Sequence, residues 1–357
     1  MMRSKISRCL SAFMVGAAFL LGNGLNLSAK EVVKINFFAN ENDEDFDGSM
    51  VFKDYVESRS NGEIEVQIYP NGGFCSKDAE CLDAIQSGAL EIYITTIGGF
   101  GNVYGPAQVL DLPYMFPDDR VTECVFDGTF TNQLRAAVLE EGIPMRLMAI
   151  SNTGGWRNIA NTKKQIRTPN DLIGLKVRTI KADVQIELVK AMGGNPTPIS
   201  WPEVYTSLAT GVVDGTKNGI TDIVGMKFHE HLKHITLDGH AYMGALWFFS
   251  EARWQQFPRA HQRILFDGFQ HLKTTARAFP MRKQVPAYED FKKAGGTIYV
   301  PTPSEKAAFK AAAAPVYDWY LNKFGDEWLF KLENAVAQCN ASVTDEFLTA
   351  TQPKLRN

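Results

Sequence analysis

No CxxC pair, HExxH, GxSxG, GxGxxG or Walker A segment occurs in the 357 residues. Each of those motifs needs its residue types at a fixed spacing, so the commonest zinc, serine-hydrolase and nucleotide readings fall away. Charge of one sign is scarce too: 37 basic against 40 acidic side chains leave a formal net charge of -3. A dispersed, mildly acidic balance offers a phosphate backbone no basic face, which excludes nucleic acid as a partner. The run His229-Glu-His-Leu-Lys-His234 lacks the i, i+4 histidine pair that puts two ligands on one helical face. It reads as a solvated helix surface, and no metal site is expected. After residue 29 no stretch is long and apolar enough to cross a bilayer, which takes about 20 residues.

The N-terminus is different in kind. Arg3, Lys5 and Arg8 precede an apolar run over 10–21, and a polar stretch leads to Leu27-Ser28-Ala29. That is a cleaved signal peptide over residues 1–29, which places the mature chain in the periplasm. Cys9 goes with the leader, leaving Cys75, Cys81, Cys124 and Cys339 in an oxidising compartment. Cys75 and Cys81 flank a helix start and form the expected local disulfide; Cys124 and Cys339 are the leftover pair.

Hydrophobic periodicity alternates strand and helix. Strands are expected over 33–38, 64–69 and 90–95, with helices over 48–60 and 77–86. The pattern recurs with strands over 176–180 and 197–199 and helices over 182–192 and 201–210. Ser200-Trp-Pro-Glu203 reads as a capping box. Glu80 to Glu91 aligns with Glu203 to Asp214 in the order helix, Gly, apolar pair, acid, which is the pattern of a duplicated unit. Residues 258–295 are helical but contain Pro280 and Pro286, so a kinked long helix or consecutive helices are expected. A strand over 297–300 and helices from the Ala-rich run 307–314 complete the chain. The fold class is α/β.

Candidate site residues follow from chemistry. Arg178 ends the segment Gly174-Leu-Lys-Val-Arg178, and ligands of open α/β sheets sit beyond the carboxyl ends of strands. Its planar fork pairs two N–H groups with one carboxylate or sulfonate. Arg157 in Gly154-Gly-Trp-Arg157 is a second cation, Asn218 a donor and acceptor on a turn, and Trp201 and Trp156 are candidate aromatic walls. Asp43, Glu44, Asp45 and Asp47 form one acidic cluster, read as an exposed loop or a calcium site. No nucleophile or base with supporting partners is found, so no catalytic residue is assigned.

Two segments together resemble a known family. Thr168-Pro-Asn-Asp-Leu-Ile-Gly-Leu-Lys-Val-Arg178 is similar to the "TPxDLxGLKxR" segment of the solute-binding component of TRAP (tripartite ATP-independent periplasmic) transporters, of dicarboxylate type. Residues 201–218, from Trp201-Pro-Glu-Val-Tyr to Gly-Thr-Lys-Asn218, resemble its "EVYxALQTGxVDGxEN" segment. Tyr69-Pro-Asn-Gly, Ile85-Gln-Ser-Gly88 and Asp111-Leu-Pro-Tyr-Met-Phe116 resemble its N-terminal lobe, in the same order.

The resemblance implies a two-lobe periplasmic-binding-protein fold with hinge strands and a long helix spanning both lobes. The lobes are expected over 30–153 with about 244–283, and over 154–243 with about 284–357. It also implies that Arg178 clamps the ligand's anionic group, that Asn218 helps hold it and that Trp201 packs on it. Arg157 falls near a second family arginine, and Thr96 near a position on the first lobe's face. Implied partners are a small organic anion and two integral membrane subunits, with no cofactor and a monomeric chain. The family's glutamate before Asn218 is Lys217 here, and its following proline is Gly219. Two other readings remain open: a secreted two-domain hydrolase or lyase acting on an organic acid, and a ligand-sensing subunit.

Overall fold

The computed structural model describes residues 30–352, so the leader assigned to residues 1–29 lies outside the described residues. The first half of the fold holds β1 (Glu31–Asn36), α1 (Glu44–Arg59), β2 (Ile64–Tyr69), α2 (Asp78–Ser87), β3 (Ile92–Thr96) and α3 (Ile97–Phe100). Helices α4 (Asp119–Asp127) and α5 (Thr129–Glu140) follow, then the 17-residue strand β4 (Met145–Asn161). The second half holds β5 (Lys176–Thr179), α6 (Asp183–Ala191), β6 (Asn195–Pro198), α7 (Val204–Ala209), β7 (Gly215–Asn218) and α8 (Ile220–Gly225). A second 17-residue strand, β8 (His234–Ser250), returns to the first half and ends in α9 (Glu251–Trp254). The chain closes with α10 (Arg259–Lys293), β9 (Thr297–Tyr299), α11 (Pro303–Ala313), α12 (Pro315–Phe324) and α13 (Glu327–Thr351).

One mixed sheet runs β2-β1-β3-β8-β4-β7-β5-β6, with β9 on β8. The order is nearly palindromic. β1 lies between β2 and β3 in parallel register, and β5 lies between β6 and β7 in the same way. β4 and β8 pair antiparallel along most of their length and join the two sets. The aligned segments occupy equivalent places. α2 ends at Gly88 and α7 is followed by Gly211, both with positive φ, and β3 and β7 each run straight into a short helix.

Alternation along β8 explains why it is buried on both faces. Tyr242, Leu246 and Phe248 enter one apolar cluster, while Ala245, Trp247 and Phe249 enter another on the opposite side. Successive side chains of a strand point to opposite faces, so helices are needed above and below. α10 supplies one cover. It is a single 35-residue helix, about 50 Å long by its rise per residue. Pro280 and Pro286 do not divide it, because packing on α1, β4 and α8 holds the chain across both halves.

Two expectations need correction. The Ser200 side chain makes no cap hydrogen bond; Trp201–Glu203 is a lone 3-10 turn before α7, and Ser200 faces the cleft instead. The capping boxes form at Thr168 with Asp171 and at Thr302 with Glu305. The last helix also sits on the first half, not on the second where residues 284–357 were expected. α13 packs on α4 and α5 and is fastened by Cys124–Cys339, with Cα atoms 5.8 Å apart. Cys75–Cys81 is formed as expected, at 5.4 Å.

Candidate functional site

The two halves enclose a cavity of about 370 Å³, into which the carboxyl ends of the parallel strands open. Arg178 comes from the end of β5, with 3% of its surface exposed. Its Nε donates to the Ile199 carbonyl at 2.9 Å, which fixes the guanidinium plane, and its Nη2 is buried with no protein partner. The Trp201 ring lies 5.4 Å from the guanidinium carbon and forms a cation–π wall behind it. Burial, and then the neighbouring Arg157, push its pKa down to about 9. Arg178 therefore stays charged at neutral pH while short of acceptors.

Arg157 comes from β4 and lines the same cavity. Its Nη1 donates to the Lys217 carbonyl at 3.1 Å, and Asp111 lies 3.9 Å from Nε. Asn218 ends β7; its Nδ2 donates to Asp222 at 2.9 Å, while Thr216 donates to its Oδ1 at 2.7 Å. Thr96 ends β3 and lines the cavity from the opposite half, where its Oγ1 accepts from Gly99 N at 3.3 Å to cap α3. Lys217 is buried beside Gln185, whose Oε1 accepts from Nζ at 3.2 Å. Burial and Arg157 lower its pKa to about 7.

Trp156 lies outside the cavity. Its ring packs edge-on against Tyr242, and its Nε1 donates to Asp119 at 2.9 Å. Neighbours in a strand tend to face opposite ways, and here Arg157 lines the cavity while Trp156 turns to Tyr242 and Asp119.

The acidic cluster is the larger surprise. Asp43 caps α1 by accepting from Asp45 N at 3.0 Å, and Asp43, Glu44 and Asp45 are each less than 9% exposed. Asp43 and Asp45 line the cavity, joined there by Asp222 of α8. An exposed loop is therefore wrong for this segment. The available signal was an aspartate followed by two acids at a helix start, which is a common N-terminal pattern. Asp222 carries no such signal.

Local backbone makes room for this wall. β4 shifts register between Asn152 and Trp156, and Thr153 at the bulge donates to Asp45 Oδ2 at 3.2 Å. Gly154 has φ 109, and a Cβ there would lie 2.5 Å from the Asp222 carboxylate. At Gly219, a Cβ would overlap the Gly154 carbonyl oxygen. Any other residue at 219 would carry that Cβ; glycine lets the bulge approach.

Burial dominates the protonation of the acids. It raises Asp43 to about 6, and together with Asp43 it raises Asp222 to about 8. Glu44 and Asp45 also lie well above the usual range, for the same reason. With folded values above the unfolded value of about 3.9, the native state holds more protons than the unfolded chain. Stability is then lost as pH rises from about 4 toward 8. The ligand-free protein is expected to melt at a lower temperature at pH 7 than at pH 5. Asp222→Asn should shrink that difference, which thermal unfolding at the two pH values will read.

Such an arrangement, with two parallel-strand units joined by long crossing strands and a charged cavity between them, defines a two-lobe solute-binding fold of the periplasmic kind. The chain belongs to the bacterial extracellular solute-binding protein family 7, whose family model matches residues 35–323. This is the family of TRAP solute-binding proteins. A solute-binding protein of Verminephrobacter eiseniae is 30% identical over 329 residues, covering 92% of this chain and 96% of that one. The C4-dicarboxylate-binding periplasmic protein DctP of Rhodobacter capsulatus is 28% identical, covering 82% and 86%. Among solved structures, a TRAP periplasmic solute-binding protein of Polaromonas bound to D-erythronate superposes with a TM-score of 0.80 at 26% identity, covering 85% of this chain and 98% of its own. One from Sulfurospirillum deleyianum with bound succinate gives 0.80 at 25%, covering 85% and 99%. Among the described residues, no helix is long and apolar enough to cross a membrane.

Proposed function

We propose that this chain is the periplasmic solute-binding subunit of a TRAP transporter, that it captures a small organic anion on Arg178, and that it carries no catalytic activity. The observation that carries this reading is the Arg178 guanidinium, 3% exposed, held by one carbonyl and with Nη2 unpartnered at the cavity. Asn218 and Arg157 flank it, Trp201 packs behind it and Thr96 belongs to the facing half. Relatives that bind erythronate and succinate support an organic acid as ligand.

The lobes divide at the crossing strands. Residues 30–153 with about 244–283 form one, and residues 154–243 with the following segment form the other, α13 folding back on the first. Thr153 and Met243, at the two crossing points, both line the cavity. Hinge closure of two domains around a ligand is the characteristic motion of periplasmic binding proteins. Here it would exclude water from the cleft, where a charge-assisted fork is worth more than at a surface. The closed, loaded form is then delivered to two integral membrane subunits.

A thermal-shift screen of small organic acids tests the reading. A true ligand binds only the folded state, so one chemical class should raise the melting temperature in a concentration-dependent way. A panel of carboxylates and sulfonates that leaves it unmoved contradicts the proposal.

A further inference from the structure

The cavity has two electrical poles. Arg157 and Arg178 form one; Asp43, Asp45 and Asp222 form the other, and all five side chains line the same space. Each pole has a buried polar atom with no protein partner: Nη2 of Arg178 and Oδ1 of Asp45. Both side chains are more than nine-tenths buried. Carboxylate oxygens of Asp43 and Asp222 lie within 4.8 Å of each other, close enough to share one positive group, with Glu44 behind them and off the cavity wall.

Resting on the organic-anion reading above, we propose that the ligand is a zwitterion. Its carboxylate or sulfonate meets Arg178 and Asn218, and its cationic nitrogen meets Asp43 and Asp222, with the unpartnered Asp45 beside them.

The alternatives fit the second pole less well. A dianion such as succinate would set its far carboxylate against acidic side chains that must stay protonated to receive it, whereas a cation is matched by the same acids once they ionise. A hydroxy acid has donors for the aspartates but no charge to offset theirs. A protonated amine has both, with up to three N–H donors on one atom. Burial raises the pKa of Asp43 and Asp222, so the empty cavity takes up protons there more readily than usual and a cation competes with those protons. The bulge at Gly154 leaves room for the Asp222 carboxylate at the cavity wall, since a Cβ there would lie 2.5 Å from it.

The test is calorimetry on the full mature chain with sets of compounds that share a carbon skeleton and an anionic end. Within each set the other end is an amine, a hydroxyl or a carboxylate, for example 3-aminopropanoate, 3-hydroxypropanoate and succinate, or taurine and isethionate. All titrations are run in EDTA and repeated in calcium chloride. In the set that fits, the amine is expected to bind at least about tenfold tighter in EDTA, and Asp45→Asn and Asp222→Asn should each narrow that gap. The proposal fails if the hydroxyl or carboxylate member binds tighter in every set, or if the amine's advantage survives both substitutions. It fails also if binding requires calcium, which would put a metal ion at the acidic pole. Should hydroxy acids or diacids bind through Arg178 while no amine does, the anion clamp stands and the zwitterion is wrong. Should no compound of any kind bind, both are wrong.

Discussion

Replacing Arg178 with alanine is expected to weaken ligand binding by about 30- to 3,000-fold while leaving the fold intact. Truncating one partner of a buried, hydrogen-bonded charge pair costs about 2–5 kcal/mol, and each 1.4 kcal/mol is tenfold in affinity. Much of that cost is the ligand's own anionic group, left in a closed cleft without its fork. The substitution removes a side chain with one protein hydrogen bond, to the Ile199 carbonyl, so the sheet loses little. Arg178→Lys separates charge from geometry. A lysine restores a point charge but not two parallel donors, so it should recover only part of the affinity. Calorimetry with the ligand found by the screen reads both variants, and circular dichroism checks the fold. Affinity within a few-fold of the unaltered protein in Arg178→Ala would remove the clamp.

The second large effect concerns stability. Cys124 and Cys339 close a loop of 215 residues, linking α4 to the middle of α13. A cross-link of that span restricts the unfolded chain strongly, by about 5 kcal/mol in the chain-entropy account. Changing both cysteines to serine should lower the thermal midpoint by roughly 5–10 °C. Ligand affinity should hold, because neither helix contributes to the cavity. Melting curves of the double variant, and of the unaltered protein in reductant, measure the effect. An unchanged midpoint in both would show that α13 is held by its apolar contacts alone.

Much of this was legible from residue pattern. Period-two alternation located β2 to the residue, and the Gly after each of α2 and α7 marked matching helix ends before a strand. Arg178, Asn218, Arg157, Trp201 and Thr96 were each nominated from the sequence and all line the cavity. What escaped was long-range. Asp222 lines the cleft beside a bulge far earlier in the chain, at Gly154, where β4 approaches α8. The acids at 43–45 look like a solvated loop until the second half closes over them. Trp156 and Arg157 are adjacent in sequence, and only the register of β4 decides which one lines the cavity. The Ser200 box failed for a similar reason: its side chain is taken up by the cleft wall rather than by the turn.

The most direct test of the account is a crystal structure of the mature protein with the ligand that the screen identifies. The account predicts an anionic group within hydrogen-bonding reach of Arg178 Nη2 and the Asn218 amide, enclosed between β3 and β7. Density for the ligand elsewhere, with the guanidinium still bonded only to the Ile199 carbonyl, would contradict it.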